Sequence, residues 1–173
     1  MTATEMIERY DICLHGADKI AVRNLQKATK DDAIDQIKAA KAEIMAILKA
    51  EVEAKEKAHA ERQAKINAIE GLEELEYTIR AWEDYHEAFN RAMEEGDGFF
   101  PAMPSVKVEE VSNKYPRAAA YITARGWSRS ANYAKASAGA KALEAIINGE
   151  DHEQAVKAMN AEWTAYCNER IWD

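Results

Sequence analysis

Cysteine, proline and glycine are scarce in this chain, and each scarcity excludes something. Two cysteines, Cys13 and Cys167, stand near opposite ends of 173 residues. They form no paired framework and no Cys-x-x-Cys, so neither a disulfide scaffold nor a zinc-type cluster is expected, and free thiols fit a reducing, cytoplasmic setting. Three prolines and seven glycines leave few interruptions, and beside abundant Ala, Glu and Lys they point to an all-α chain. No apolar run approaches the roughly 18 residues needed to span a bilayer, and residues 1–20 lack a basic stretch followed by an apolar one. The expectation is a soluble, intracellular chain with neither leader nor membrane association. Catalytic signatures are missing too: there is no Gly-rich phosphate loop, no Gly-x-Ser-x-Gly and no His-Glu-x-x-His. A non-enzymatic protein that needs no cofactor is therefore expected.

What is present is a long apolar repeat. From Ile37 to Met93, alternating steps of three and four residues visit seventeen positions without a change of phase, and thirteen of them are apolar. Such a 3.5-residue repeat specifies a long helix that packs against a partner. Thr29 followed by Asp32 suits a helix start, since a hydroxyl can accept from a free N–H and acids favour the positive end of the dipole. Gly96 to Gly98 suit its end. The expected organisation is 1–28 as two short helices (about 4–15 and 17–28), 29–95 as one coiled-coil-like helix of roughly 100 Å, 96–106 as a loop, and 107–173 as a compact three-helix unit. Gly71 is the one threat to continuity; flanking helix formers and the unbroken phase favour passage through it over a hairpin.

The repeat is uneven. Between Glu51 and Lys65 its positions are Ala, Glu and Lys, which bury little. Leu72, Leu75, Ile79, Trp82, His86 and Phe89 follow and demand cover, so a homodimer through this seam is expected. His86 is read there as a polar residue that fixes register or pairs with a partner helix, with Glu83 or a cross-helix group as its acceptor. In the loop, Pro101 and Pro104 bar a helix, and Phe99 and Phe100 are expected to tuck into the core. Further on, a helix should start at Pro116 and stop at Gly126. A second, about 130–148 and rich in Ala, should admit a close neighbour, and a third should open at Asp151 with Gln154 as its capping partner.

Charge is also uneven. The chain carries a net −8, yet Glu70 to Glu95 alone amounts to −7 and Val111 to Leu143 to +6. An acidic helical face containing Glu70, Glu73, Glu74 and Glu76, then Glu83, Asp84 and Glu87, could occupy a basic cleft on a nucleic-acid-handling protein, as an adaptor or inhibitor. The basic segment, with Arg117, Arg125, Arg129 and Lys135 interleaved with Trp127 and tyrosines, offers the alternative of direct nucleic-acid binding within 114–141. The bland alternative is that its aromatics are core and its cations meet the acidic face within the same molecule. Glu56/His59 and Glu83/His86 repeat the Glu-x-x-His spacing of carboxylate-bridged di-metal bundles. On a continuous helix they lie about 40 Å apart and cannot share an ion, so no metal site is expected.

Overall fold

A computed structural model of the chain describes residues 1–96 and 100–170. Among these residues it is all-α apart from one two-stranded hairpin. The chain divides into two compact units, Met1–Glu61 and Arg62–Asp173.

In the first unit, α1 (Ala3–Tyr10) is opened by a reciprocal capping box between Thr2 and Glu5 and closed by Asp11 in the left-handed region. Residues 11–22 then fold as a hairpin rather than continuing helices 4–15 and 17–28. Strand β1 (Ile12–Leu14) pairs antiparallel with β2 (Ile20–Val22), Ile12 opposite Val22. The β-branched residues at 12, 20 and 22 favour the extended state, and Gly16 supplies a positive φ in the turn. Three helices follow: α2 (Leu25–Lys30), α3 (Ile34–Ala39) and α4 (Lys41–Asn67), whose residues from Arg62 on belong to the second unit. The core of this unit gathers Met6, Tyr10, Ile12, Ala28, Ile37, Ile44 and Leu48.

The single helix expected over 29–95 is broken in three places. Thr29 lies inside α2, where its hydroxyl donates to the Leu25 carbonyl instead of capping a new helix. Asp32 adopts φ 51°, which an aspartate tolerates better than most side chains, and the chain turns before α3. Ala40 separates α3 from α4. Finally α4 stops at Asn67, and α5 (Leu72–Glu95) starts anew after Gly71 at φ 73°. Within α4, residues 51–60 are all exposed, as the weak seam there suggests.

In the second unit, α5 is followed by α6 (Val108–Lys114), α7 (Pro116–Ser128), α8 (Tyr133–Ile147) and α9 (His152–Arg170). Four helices thus occupy the segment expected to hold three, and α7 passes through Gly126 to Ser128. Pro116 opens α7 as expected, and Asp151 Oδ1 accepts from the backbone N–H of Glu153 and Gln154 at the start of α9. The core joins Ile66, Ile69, Leu72 and Leu75 to Val111, Tyr121, Ala138, Ala142, Ile146 and Met159. Small residues on α8 do admit a close neighbour: a side chain at Gly139 would collide with the backbone of Trp127 and Ser128 at the end of α7.

Candidate functional site

One face of α5 carries most of what was expected to act. Leu72, Leu75 and Ile79 lie on it at helical spacing, and Leu72 and Leu75 are 7% and 1% exposed. They are filled from within, against Val111 of α6 and Tyr121 of α7, with Ile79 packed at the edge of the same cluster. Leu72 and Leu75 therefore belong to the chain's own core and not to an oligomer seam. Of α5, only Leu72, Leu75 and Ile79 join that core cluster among the described residues; further along, Ala92 is buried.

Past Ile79 the same face emerges as an aromatic ridge. Trp82 stands 5.7 Å from both Tyr85 and His86, Tyr85 stands 5.9 Å from Phe89, and Phe89 stands 5.3 Å from Phe100 of the following loop. Cover is incomplete. The Trp82 indole donates to the Val106 carbonyl at 2.8 Å, and Trp82, Tyr85 and Phe89 are half-buried. Phe100 is 49% exposed and Met93 61%, so Phe100 lies against the ridge rather than in the core. Phe99 falls outside the described residues. His86 is exposed and rests its ring against Trp82 and Tyr85.

The carboxylates of α5 divide in the same way. Glu74 accepts from Lys114 Nζ at 3.3 Å, and Glu76 accepts from Arg125 at 2.5 Å. The Tyr115 hydroxyl, and after it the Lys114 ammonium, hold the Glu74 carboxyl below its ordinary range. Glu87 pairs along its own helix with Arg91. Glu70, Glu73, Glu83 and Asp84 are exposed and, among the described residues, have no cation within ion-pair distance. Glu83 and Glu87, one turn apart, flank the aromatic ridge on one side.

The basic segment is largely occupied from within. Beyond Lys114 and Arg125, the Arg117 guanidinium donates to the Ile146 carbonyl at the end of α8 at 2.7 Å. Lys141 meets Glu162 at 2.7 Å, and Lys135 lies over the Trp127 ring at 4.8 Å. Arg129 alone of the named candidates is exposed without a carboxylate partner among the described residues; it lines an open cleft with Glu76, Arg80, Glu83 and Arg125. The aromatics are structural: Tyr121 is buried, and Trp127 sits edge-on to Trp163 at 6.3 Å. Tyr133, at 88% exposure, is the exception.

Glu56 and His59 are exposed on α4 in the first unit, whereas Glu83 and His86 belong to the second. Among the described residues no three His, Cys, Asp or Glu side chains gather closely enough to hold a metal ion, and no helix is long and apolar enough to cross a membrane. Both cysteines are unpaired and half-buried.

The seam was legible in the sequence as an apolar face in need of cover; that Leu72 and Leu75 find it within the chain was not. Comparison with protein-family models, curated proteins and solved structures returns no match to this chain.

Proposed function

We propose that this is a non-enzymatic protein-binding protein that docks on its partner through the second half of α5. The observation that carries the reading is the half-buried Trp82–Tyr85–Phe89 ridge, ending on Phe100 at 49% exposure, edged by Glu83 and Glu87. Aromatic side chains contribute large contact area with few rotatable bonds and dominate interface energetics. The flanking carboxylates select a partner whose apolar groove is bordered by Lys or Arg, the surface type found on proteins that handle nucleic acid. Such docking would act as an adaptor or as an inhibitor that occupies the basic site. The N-terminal carboxylates Glu74 and Glu76 are engaged at home, so the recognition charge is carried further along the helix than their acidity alone suggests. Direct nucleic-acid binding through 114–141 has less support, because Lys114, Arg117, Arg125 and Lys141 already have partners within the chain.

The test is capture of host proteins on the immobilised chain at low and high salt, in parallel with Glu83→Lys/Glu87→Lys and Phe89→Ala. A specific partner should be retained at low salt, weakened at least tenfold by the charge reversal, and lost with the alanine. Retention that ignores salt and both variants would sink the reading. Sedimentation of the chain alone distinguishes a second copy on the ridge: a dimer that Phe89→Ala dissociates would make the occupant another molecule of this protein.

A further inference from the structure

The first unit holds an apolar groove that the reading above does not use. Its floor is Ile20 and Val22, alternate residues on one face of β2, with Leu25, Ile34 and Ile37. Its cavity measures about 370 Å³ and is open along one side. Ile37 is buried, but Leu25 is 55% exposed. Three lysines form the rim: Lys19 enters β2, Lys38 stands on α3, and Lys41 opens α4. Lys38 is held by Asp35 at 3.0 Å, whereas Lys19 and Lys41 have no carboxylate within ion-pair distance among the described residues. The setting is unusual for this acidic chain, because from Lys19 to Lys49 seven cationic residues stand against four acidic ones. Asp18, the nearest acid in sequence to Lys19, is turned to Lys49 at 3.8 Å.

We infer that this groove is a second docking site, and that it takes an acidic amphipathic helix of a partner protein. The charge pattern decides the class. An apolar floor ringed by ammonium groups complements a helix whose apolar stripe, at i, i+3, i+4 and i+7, is bordered by Glu or Asp. The openness of the groove favours a helix over a single acyl chain: an acyl carboxylate would find its head-group cation here, but one chain covers less of an open apolar floor that includes Leu25, 55% exposed, than the apolar stripe of a helix does. Because the cations come from three separate elements, the groove discriminates by charge as well as by fat.

The inference is tested on the full chain with defined probes. A fluorescein-labelled 18-residue helical peptide with a leucine stripe flanked by glutamates should bind with micromolar affinity by anisotropy. A counterpart with lysine for every glutamate should bind at least tenfold more weakly. Lys19→Glu/Lys41→Glu should reverse that preference, and Leu25→Asp should weaken the acidic peptide by a similar factor; Leu25 is exposed, and circular dichroism checks that both variants fold. Absence of binding at millimolar peptide, equal binding of the two peptides, or indifference to the lysine reversal would overturn the site. Sodium dodecanoate that displaces nothing supports the helix, and dodecanoate that binds with the lysine dependence the peptide lacks would transfer the groove to an acyl carboxylate. A dimer of the free chain that Lys19→Glu/Lys41→Glu dissociates would assign the groove to a second copy instead.

Discussion

At the residue scale, Gly71 shows how one atom's worth of space sets a helix boundary. Its φ of 73° is unfavourable for any residue with a side chain, and a Cβ there would lie within the ring of Tyr115. Gly71→Ala therefore combines a left-handed backbone penalty with overpacking, together about 2–4 kcal/mol. Urea unfolding followed by far-UV circular dichroism should register that loss. Tyr115→Ala removes the ring that collides, so the double variant should be less unstable than the sum of the singles, by at least about 1 kcal/mol. Strict additivity would mean that the ring and the glycine do not meet. Gly71 was legible in the sequence as the one weak point of a long repeat. What could not be read was the tyrosine 44 positions later that occupies the space a side chain would need, because nothing local to residues 68–74 encodes it.

At the element scale, α5 is one amphipathic helix with two different fates. Its apolar face has the same spacing throughout, so periodicity made the face legible but not what covers it. Leu75, 1% exposed among Val111, Tyr121 and their neighbours, should cost about 2–5 kcal/mol on truncation to alanine. Phe89, half-buried on the ridge, should cost less than about 1 kcal/mol in the isolated chain. Thermal unfolding of the two variants measures the contrast directly, and a Phe89→Ala loss as large as that of Leu75→Ala would mean the ridge is a core already covered. The same limit explains the hairpin at 12–22. Alternation over so few residues, Ile12 to Leu14 and Ile20 to Val22, is easily absorbed into a helical reading, and only pairing between the two strands decides it. Two of the capping signals fared better, although Thr29 did not cap the helix expected of it. Pro116 and Asp151 act within one turn of their own positions, and a local signal can be read locally.

At the scale of the whole molecule, the charge asymmetry legible in the composition is partly folded against itself, since Lys114 and Arg125 from the basic segment meet Glu74 and Glu76 from the acidic one. Two carboxyls with lowered pKa sit in different units. The Arg9 guanidinium, donating to Asp31 at 2.7 Å, holds that carboxyl below its usual range in the first unit. Tyr115 and Lys114 do the same to Glu74 in the second. A carboxyl whose acidity is enhanced by folding lends stability that is fully present above its unfolded pKa, about 4, and that disappears as pH falls through the lower folded value. The cores themselves share no residue: one is built from Ala3 to Leu48 and the other from Ile66 to Met159. Acid should therefore weaken both units below about pH 4 through separate groups. Asp31→Asn should flatten the acid limb for amide signals of the first unit and leave those of the second unchanged, and Glu74→Gln should do the reverse, in a pH series of heteronuclear spectra. If either substitution flattened both limbs equally, the two units would be unfolding as one cooperative body.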